Sequence, residues 1–288
     1  MGPQAAPSRI ARSMLIKSVP AATGVRWLAD GARLLRKQPL GLPAMVGAYL
    51  TMLLLPALLP VIGVVVSGIL GPFATVGLMQ CFREAALGRP PTLAQFAQPF
   101  QDLRSRQNLL RLGMINAGLL AIVAVLAALL SPEPAVSTPP QGIQDLPLEA
   151  MAIQVLLYAP VMLVMWFAPL LAGWHGMTPG KAMFGSAVGC LRNIGALLVY
   201  GAAAFGLAIA ASVVVVTILG AIVSSREVLM IIVAPIALVM MTVVQGSFFP
   251  MYLSVFSEMP RLQPAATEPA DGPSGGGSDR SNDDPPRS

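Results

Sequence analysis

The chain has 288 residues, of which 55% are hydrophobic and only 11% charged, and its formal net charge is +5. A soluble protein of this length needs a polar exterior, which so few charged residues cannot supply. The composition therefore excludes a protein built around one water-soluble core and indicates a chain that is solvated by lipid.

Five long stretches contain no Asp, Glu, Lys or Arg: Gln38 to Phe82, Leu112 to Pro132, Ala150 to Trp174, Asn193 to Ser225 and Val228 to Ser257. Each can cross a hydrocarbon core of about 30 Å, which takes roughly 20 helical residues. The first stretch is about twice that length and contains Pro60 and several glycines, as a helical hairpin would. The pattern predicts an all-α polytopic membrane bundle of six transmembrane helices, near 40–59, 62–86, 109–130, 149–173, 194–219 and 228–256.

The basic residues are placed asymmetrically about these helices. All of the 18 lysines and arginines except Arg226 fall on one side of a six-helix arrangement. By the positive-inside rule, that side faces the cytoplasm, together with both chain termini. The net charge is thus a signal of topology and of contact with anionic lipid, and it does not indicate nucleic-acid binding.

The same pattern divides the chain into three regions. Residues 1–39 form a cytoplasmic N-terminal segment with an amphipathic helix, and residues 40–258 form the six-helix transmembrane domain. Residues 259–288 form a cytoplasmic tail, which we expect to be disordered because it has almost no apolar residue with which to fold. The proline-rich segment 131–147 is expected to be an extended outer loop.

A short segment with helical periodicity, here called a lead-in, precedes the first, third and fifth transmembrane helices. In the first lead-in, the charged residues share one helical face and apolar residues share the other, with Trp27 and Leu34 at the edges. The charged face comprises Arg26, Asp30, Arg33 and Lys37, and the apolar face comprises Val25, Leu28, Ala32 and Leu35. This amphipathic pattern predicts a helix that lies flat in the membrane interface.

The other two lead-ins have similar signals. In the second, Thr92 is a candidate N-cap, and the apolar residues Leu93, Phe96, Phe100 and Leu103 recur at helical spacing. In the third, Thr178 is a candidate N-cap before Pro179, and the apolar face comprises Phe184, Val188 and Leu191.

The lead-ins also end alike, in "LRKQPLGL" (35–42), "SRQNLLRL" (105–112) and "LRNIGALL" (191–198), each pairing a basic residue with an amide. These similarities suggest a threefold repeat of lead-in plus transmembrane hairpin. The alternative is that any short cytoplasmic connection in a membrane protein has such a composition.

The stretch "GWHGMTPGK" (173–181) contains His175, the only histidine of the chain. It is not a phosphate-binding loop, because the glycine spacing is one residue short and Ala182 replaces the required hydroxyl residue. Gly176 instead fits a helix C-cap, and Trp174 fits an interfacial aromatic belt. His175 alone cannot form a metal site, so it is either an interfacial structural residue or a proton-sensing group.

No catalytic, cofactor-binding or metal site is predicted, because the transmembrane helices have no central charged residue and the chain has no pairing of a nucleophile with a base. Two sets of binding candidates remain. The basic residues of the lead-ins are candidates for lipid headgroups: Arg26, Arg33, Lys37, Arg104, Arg106, Lys181 and Arg192. Asn116, Gln154 and Gln245 are candidate polar groups of the bundle interior, where such residues most often bond one helix to another.

Three stretches carry a resemblance: "GVRWLADGARLLRKQPLGL", "FREAALGRPP" and "FAPLLAGWHGMTPGKAMFGSAVGCLRNIGALL". Together they resemble a family of uncharacterised proteobacterial inner-membrane proteins over most of residues 18–258. The resemblance implies a multi-pass membrane fold and no activity. A more distant similarity is to the membrane domain of some glycerophosphodiester phosphodiesterases, but their catalytic barrel has no counterpart here.

Three function classes stay open, and an intramembrane enzyme ranks last because His175 is the only imidazole that could serve as a base. The recurring basic amphipathic segments favour a scaffold, an assembly partner or an organiser of the lipid interface. The expected partners are anionic membrane lipids and either another membrane protein or a second copy of the chain. The alternative is a transporter or channel for a small molecule or lipid, whose path would be lined by the interior polar candidates.

Overall fold

The computed structural model describes residues 14–59, 62–130, 148–222 and 225–258. In chain order, its elements are β1 (Met14–Ile16), α1 (Thr23–Lys37), α2 (Gly41–Ala57), α3 (Ile62–Ala86), α4 (Leu93–Gln101), α5 (Leu103–Leu130), α6 (Leu148–Met165), α7 (Ala168–His175), α8 (Pro179–Arg192), α9 (Ile194–Ile222), α10 (Arg226–Val255) and β2 (Phe256–Glu258). The predicted all-α class is confirmed. The predicted outer loop and tail lie outside the described residues.

Five segments are long and apolar enough to cross a membrane, namely α3, most of α5, α6 with α7, α9 and α10. Helix α2 has 17 residues and meets α1 at an angle of 110°, and this bent pair provides a sixth candidate. The strands β1 and β2 pair with each other, so the first and last described segments lie side by side. This pairing favours an even number of crossings, with α2 as the sixth.

The helices follow one order three times, as a lead-in helix and then a hairpin. The units are α1 with α2–α3, α4 with α5–α7, and α8 with α9–α10. Each lead-in helix packs mainly against the hairpin of the preceding unit: α4 against α3, α8 against α6 and α7, and α1 against α10 and α9. The relation is cyclic because the first lead-in packs on the last hairpin. We call the end that carries the lead-ins and the two strands the basic end.

Helix α1 buries a different face from the predicted one. Trp27, Leu28 and Leu34 are buried, together with Gly24 and Gly31, whereas Val25 is exposed. The buried face is therefore rotated from the predicted apolar face toward Trp27 and Leu34, which were expected at its edges. A Cβ atom at Gly31 would overlap the carbonyl oxygen of Val243 on α10. The buried face of α1 therefore contacts other helices of the protein, which the sequence pattern did not predict, because glycines let α1 pack directly on the backbone of its neighbours.

The other lead-ins show the same close packing with different residues. In α4, Thr92 and Gln95 form a capping box, which confirms the predicted N-cap. Phe96 is buried against Gly77 of α3, where a Cβ atom would overlap the Phe96 carbonyl oxygen. The lead-in ends earlier than predicted: α4 stops before the extended residue Asp102, and Leu103 is exposed at the start of α5.

Helix α8 starts at the predicted Pro179, and its predicted N-cap residue Thr178 makes no side-chain capping bond. Its small residues face the bundle, whereas the large apolar residues Phe184 and Leu191 are exposed. The predicted apolar face of this lead-in therefore points away from the protein, where lipid solvates it.

The fourth predicted transmembrane helix is broken into α6 and α7 at Trp166 and Phe167. Pro169 lies in the first turn of α7, where its missing N–H interrupts the helical hydrogen-bond ladder. The hydroxyl of Ser186 on α8 accepts a bond from the Phe167 N–H and donates one to the Leu163 carbonyl, each at 2.9 Å. Ser186 thus satisfies backbone groups that the break would otherwise leave unpaired in an apolar environment.

Candidate functional site at the basic end

The basic end carries most of the lipid-headgroup candidates on its surface. Arg26, Arg33, Lys37, Arg106, Lys181 and Arg192 are all exposed. Arg104 lies in the first turn of α5, but its side chain is outside the described part of the structure. These residues belong to α1, α5 and α8, so every unit contributes to the surface.

Three of the exposed cations are engaged with the protein itself. Arg33 forms an ion pair with Asp30 on the same helix. Lys37 donates a hydrogen bond to the Ala86 carbonyl at 3.1 Å, and Arg192 donates a longer one to the Ile16 carbonyl at 3.4 Å. Within the described ranges, Arg26, Arg106 and Lys181 make no side-chain hydrogen bond or ion pair.

One kind of hydrogen bond recurs where each lead-in meets its transmembrane helix. In each unit, a side chain there donates to a backbone carbonyl that precedes another lead-in helix. Lys37 of the first unit donates to the carbonyl of Ala86, in the chain that leads to α4. Asn108 of the second unit donates to the Gly176 carbonyl at 3.2 Å, in the chain that leads to α8. Asn193 of the third unit donates to the Lys17 carbonyl at 2.9 Å, in the chain that leads to α1. We call these three contacts the junction bonds.

Asn193 makes the most complete of these contacts. Its side chain is almost fully buried, and its carbonyl oxygen accepts a bond from the Val19 N–H at 2.8 Å. Its amide nitrogen also donates to the Gly189 carbonyl at 2.9 Å. The bonds hold the segment before α1 against the end of α8, beside the pairing of β1 with β2.

The three interior polar candidates have different positions. Asn116 donates a hydrogen bond to the Gly68 carbonyl at 2.9 Å, which joins α5 to α3. Gln245 on α10 is half-buried within hydrogen-bonding reach of Tyr49 on α2. Gln154 is exposed on α6, so the prediction that it belongs to the bundle interior is wrong. The three do not line one path.

The stretch around His175 is structural in its contacts. Gly176 ends α7 in the left-handed conformation with φ 64°, as predicted for a C-cap. The ring of Trp174 packs edge-on against Phe249 and Tyr252 of α10, so it belongs to an aromatic cluster more than to an outer belt. His175 stacks on Tyr252 with ring centroids 6.3 Å apart.

The two cysteines are buried and unpaired with each other, as expected for apolar filler residues. Burial raises the pKa of the Cys190 thiol on α8 to about 12, although a hydrogen bond with Ser186 acts in the opposite direction. No group of three or more potential metal-ligating side chains occurs among the described residues.

A cavity of about 250 Å³ opens at the basic end between α3, α4, α5 and α7. Its polar lining consists of Gln80, Arg83, Gln98, Asp102, Ser105 and Trp174. Sequence reasoning did not identify this group because its members come from four separate helices. The available signal was the spacing of Gln80 and Arg83, which puts both on one face at the end of α3.

A relative from Burkholderia thailandensis, described as a probable inner membrane protein, is 32% identical to the chain over 263 residues. The aligned region covers 84% of this chain and 94% of the relative. The chain belongs to the family of this inner membrane protein. No protein-family model matches the sequence, and no solved structure matches it.

Membership of this inner-membrane family confirms the resemblance and the membrane location that the sequence predicted. The relative's description gives no activity or substrate. The more distant similarity to the membrane domain of phosphodiesterases stays a prediction. Any function of this family must therefore be argued from the surface and the cavity at the basic end.

Proposed function

We propose that the protein is a non-enzymatic scaffold of the bacterial inner membrane that organises anionic phospholipid at its cytoplasmic face. The observation that carries the proposal is that every unit exposes cations that make no side-chain hydrogen bond or ion pair among the described residues, including Arg26 on α1, Arg106 on α5 and Lys181 on α8. Because no acidic group in the described part of the chain neutralises these cationic side chains, they are available to bind lipid phosphates or a partner protein.

The charge distribution supports a cytoplasmic position for this surface. The described lysines and arginines other than Arg226 lie at the basic end, whereas Arg226 opens α10 at the opposite end. Basic residues in short connections are retained on the cytoplasmic side during insertion. The anionic lipids of that leaflet then attract each basic residue by about 1 kcal/mol.

The orientation can be tested by labelling single cysteines in cells. A cysteine at Gly180, which is exposed on α8, should be protected from a membrane-impermeant maleimide added outside the inner membrane. A cysteine at Ser225, which is exposed before α10, should react with the same reagent. The reverse labelling would contradict the cytoplasmic position of the basic end.

Lipid retention tests the function itself. In native mass spectrometry after gentle detergent extraction, the wild-type protein should carry phosphatidylglycerol or cardiolipin. The triple variant Arg26→Gln, Arg106→Gln, Lys181→Gln should lose most of this lipid, because about 1 kcal/mol of attraction is removed at each position.

A second triple variant provides a charge-matched control. Replacing Arg33, Lys37 and Arg192 by Gln removes the same charge from cations that already have partners within the protein. We expect this control to retain more anionic lipid than the first triple variant, with both proteins inserted in the membrane. Equal retention in the wild type and the first triple variant would refute the proposal and leave these cations as topology signals alone.

A further inference from the structure

The cavity at the basic end contains polar groups that have no partner within the described chain. The side chains of Gln80, Arg83 and Gln98 make no hydrogen bond or ion pair with another described residue. They line the same space of about 250 Å³ as Asp102, whose Oδ2 accepts a bond from the Ser105 N–H at 3.1 Å. Three unengaged donor side chains and a carboxylate therefore line one open cavity, in which Gln80 is half-buried and the other three are exposed.

The charges of the lining restrict the ligand. Arg83 and Asp102 both line the cavity but form no ion pair with each other, among the ion pairs of the described residues. A simple anion would be attracted by Arg83 and repelled by Asp102, and a simple cation would be repelled by Arg83 and attracted by Asp102. A ligand that carries both charges on separate atoms is attracted by both residues.

The other lining groups suit the two ends of such a ligand. The amides of Gln80 and Gln98 can donate hydrogen bonds to phosphate oxygens beside the guanidinium of Arg83. The aromatic ring of Trp174 lines the same cavity and can attract an ammonium group by a cation–π interaction, and the carboxylate of Asp102 attracts the same charge. The apolar residues Val76 and Pro99 complete the wall.

We propose that this cavity binds a small zwitterion bearing a phosphate and a primary ammonium, the chemistry of a phosphoethanolamine headgroup. The volume is below the roughly 300–1,000 Å³ of pockets for drug-sized ligands, as befits a headgroup. The position also fits, because the cavity lies where α3 and α7 end and α5 begins, at the level of the membrane interface.

This inference goes beyond the proposed function and does not depend on it. The scaffold proposal concerns anionic lipid on Arg26, Arg106 and Lys181, none of which lines the cavity. Variants of the cavity should therefore leave the retention of anionic lipid unchanged, and variants of the surface cations should leave the cavity's ligand unchanged.

Titration calorimetry of the full-length protein in detergent tests the site with O-phosphoethanolamine, inorganic phosphate and ethanolamine as probes. The variant Arg83→Gln removes the cation, and Asp102→Asn removes the negative charge. Asn is as good an N-cap as Asp, so Asp102→Asn preserves the start of α5. Arg111→Gln is the matched control, because it removes an exposed cation of α5 that does not line the cavity and is not among the cations assigned to anionic lipid.

We expect the wild-type protein to bind phosphoethanolamine more tightly than inorganic phosphate or ethanolamine. Arg83→Gln should weaken both phosphoethanolamine and phosphate, by about tenfold or more for a lost charge-assisted bond. Asp102→Asn should weaken phosphoethanolamine by about the same factor without weakening phosphate. Equal wild-type binding of phosphoethanolamine and phosphate would refute the inference, and so would variants that bind like the Arg111→Gln control.

A second arm distinguishes a lipid from a soluble ligand. Protein in nanodiscs of phosphatidylglycerol with or without phosphatidylethanolamine is titrated with O-phosphoethanolamine. If the lipid is the natural ligand, phosphatidylethanolamine should lower the apparent affinity for the soluble probe in the wild type and not in Asp102→Asn. If the probe binds equally in both nanodiscs, the ligand is a soluble zwitterion. Absence of probe binding in detergent and in both nanodiscs would overturn the site.

Discussion

The two ends of the bundle are built differently. At the basic end, the largest fully buried side chains occur together, among them Trp27, Phe82 and Phe167. At the opposite end, apolar residues such as Leu58 and Leu129 are largely exposed. The helices differ in the same way: 6% of the most apolar stretch of α9 is buried in the protein, whereas 50% of that of α3 is buried.

The difference follows from the lead-in helices. At the basic end, α1, α4 and α8 fill the spaces between neighbouring hairpins and bury their close-packing residues there. The opposite end has no such elements among the described residues, so lipid must solvate its apolar surface. Apolar residues in lipid gain little by packing on each other, and tight association depends on close packing and hydrogen bonds. We infer that the basic end carries most of the stability of the fold.

A matched pair of glycine substitutions should show the largest difference between the packed basic end and the exposed surface of the membrane-spanning helices. Gly31→Val should lower the free energy of unfolding by about 3 kcal/mol, because overpacking here is opposed by backbone atoms of Val243 and Ser247. Gly206→Val on α9 meets no atom within 4 Å of its Cβ, so its effect should stay within about 0.5 kcal/mol. Unfolding of the purified variants by denaturing detergent measures both values. Similar losses at the two positions would contradict the comparison.

The junction bonds allow a finer test within the basic end. Asn193→Ala should cost about 2 kcal/mol, because it leaves buried partners such as the Val19 N–H without their bond. Asn108→Ala removes a single bond from a half-buried residue and should cost less than about 1 kcal/mol. The same unfolding measurement ranks the two variants, and hydrogen exchange at Lys17 and Val19 should increase only in Asn193→Ala.

The pH dependence of stability gives the smallest expected effect. Burial raises the pKa of Cys190 to about 12, above the value of about 8.5 for a thiol in an unfolded chain. The resulting stabilisation is fully present below the unfolded pKa and is lost as the pH rises toward the folded pKa. Between pH 8 and 9.5, the wild type should therefore lose about 1 kcal/mol more than Cys190→Ala. Parallel pH profiles for the two proteins would exclude this contribution.

Much of the fold could be predicted from the sequence because charge-free stretches and helix caps are local signals. The six crossings, the three lead-ins, the Thr92 cap and the Gly176 C-cap all follow from residues close together in the chain. The break in the fourth crossing was not predicted. A proline such as Pro169 can bend or break a helix, and the outcome depends on Ser186, which comes from another helix.

The buried face of α1 was missed for a different physical reason. A helical projection ranks residues by hydrophobicity, so Gly24 and Gly31 counted for nothing in the predicted apolar face. In the structure, these glycines allow contact with neighbouring backbones and so determine which face is buried.

The sites show the same limit. The basic residues were identifiable by type. Which of them form hydrogen bonds within the protein depends on the positions of backbone carbonyls, and the sequence does not show those positions. The cavity combines Arg83 with Asp102, which are separated by a turn and the whole of α4. Gln154 was misplaced because a uniformly apolar helix such as α6 does not show which side faces its neighbours.

The cyclic order of packing has a consequence for biosynthesis. Helix α1 is translated early, but the residues that cover it, including Val243 and Ser247, are among the last of the described chain. At about 5–20 residues per second, the ribosome needs about 10–40 s to make the roughly 200 residues between them. During that interval, the nascent α1 has only the membrane surface on which to bury Trp27 and Leu28. We therefore expect the amphipathic α1 to lie on the membrane surface until α9 and α10 enter the bilayer and pack on it.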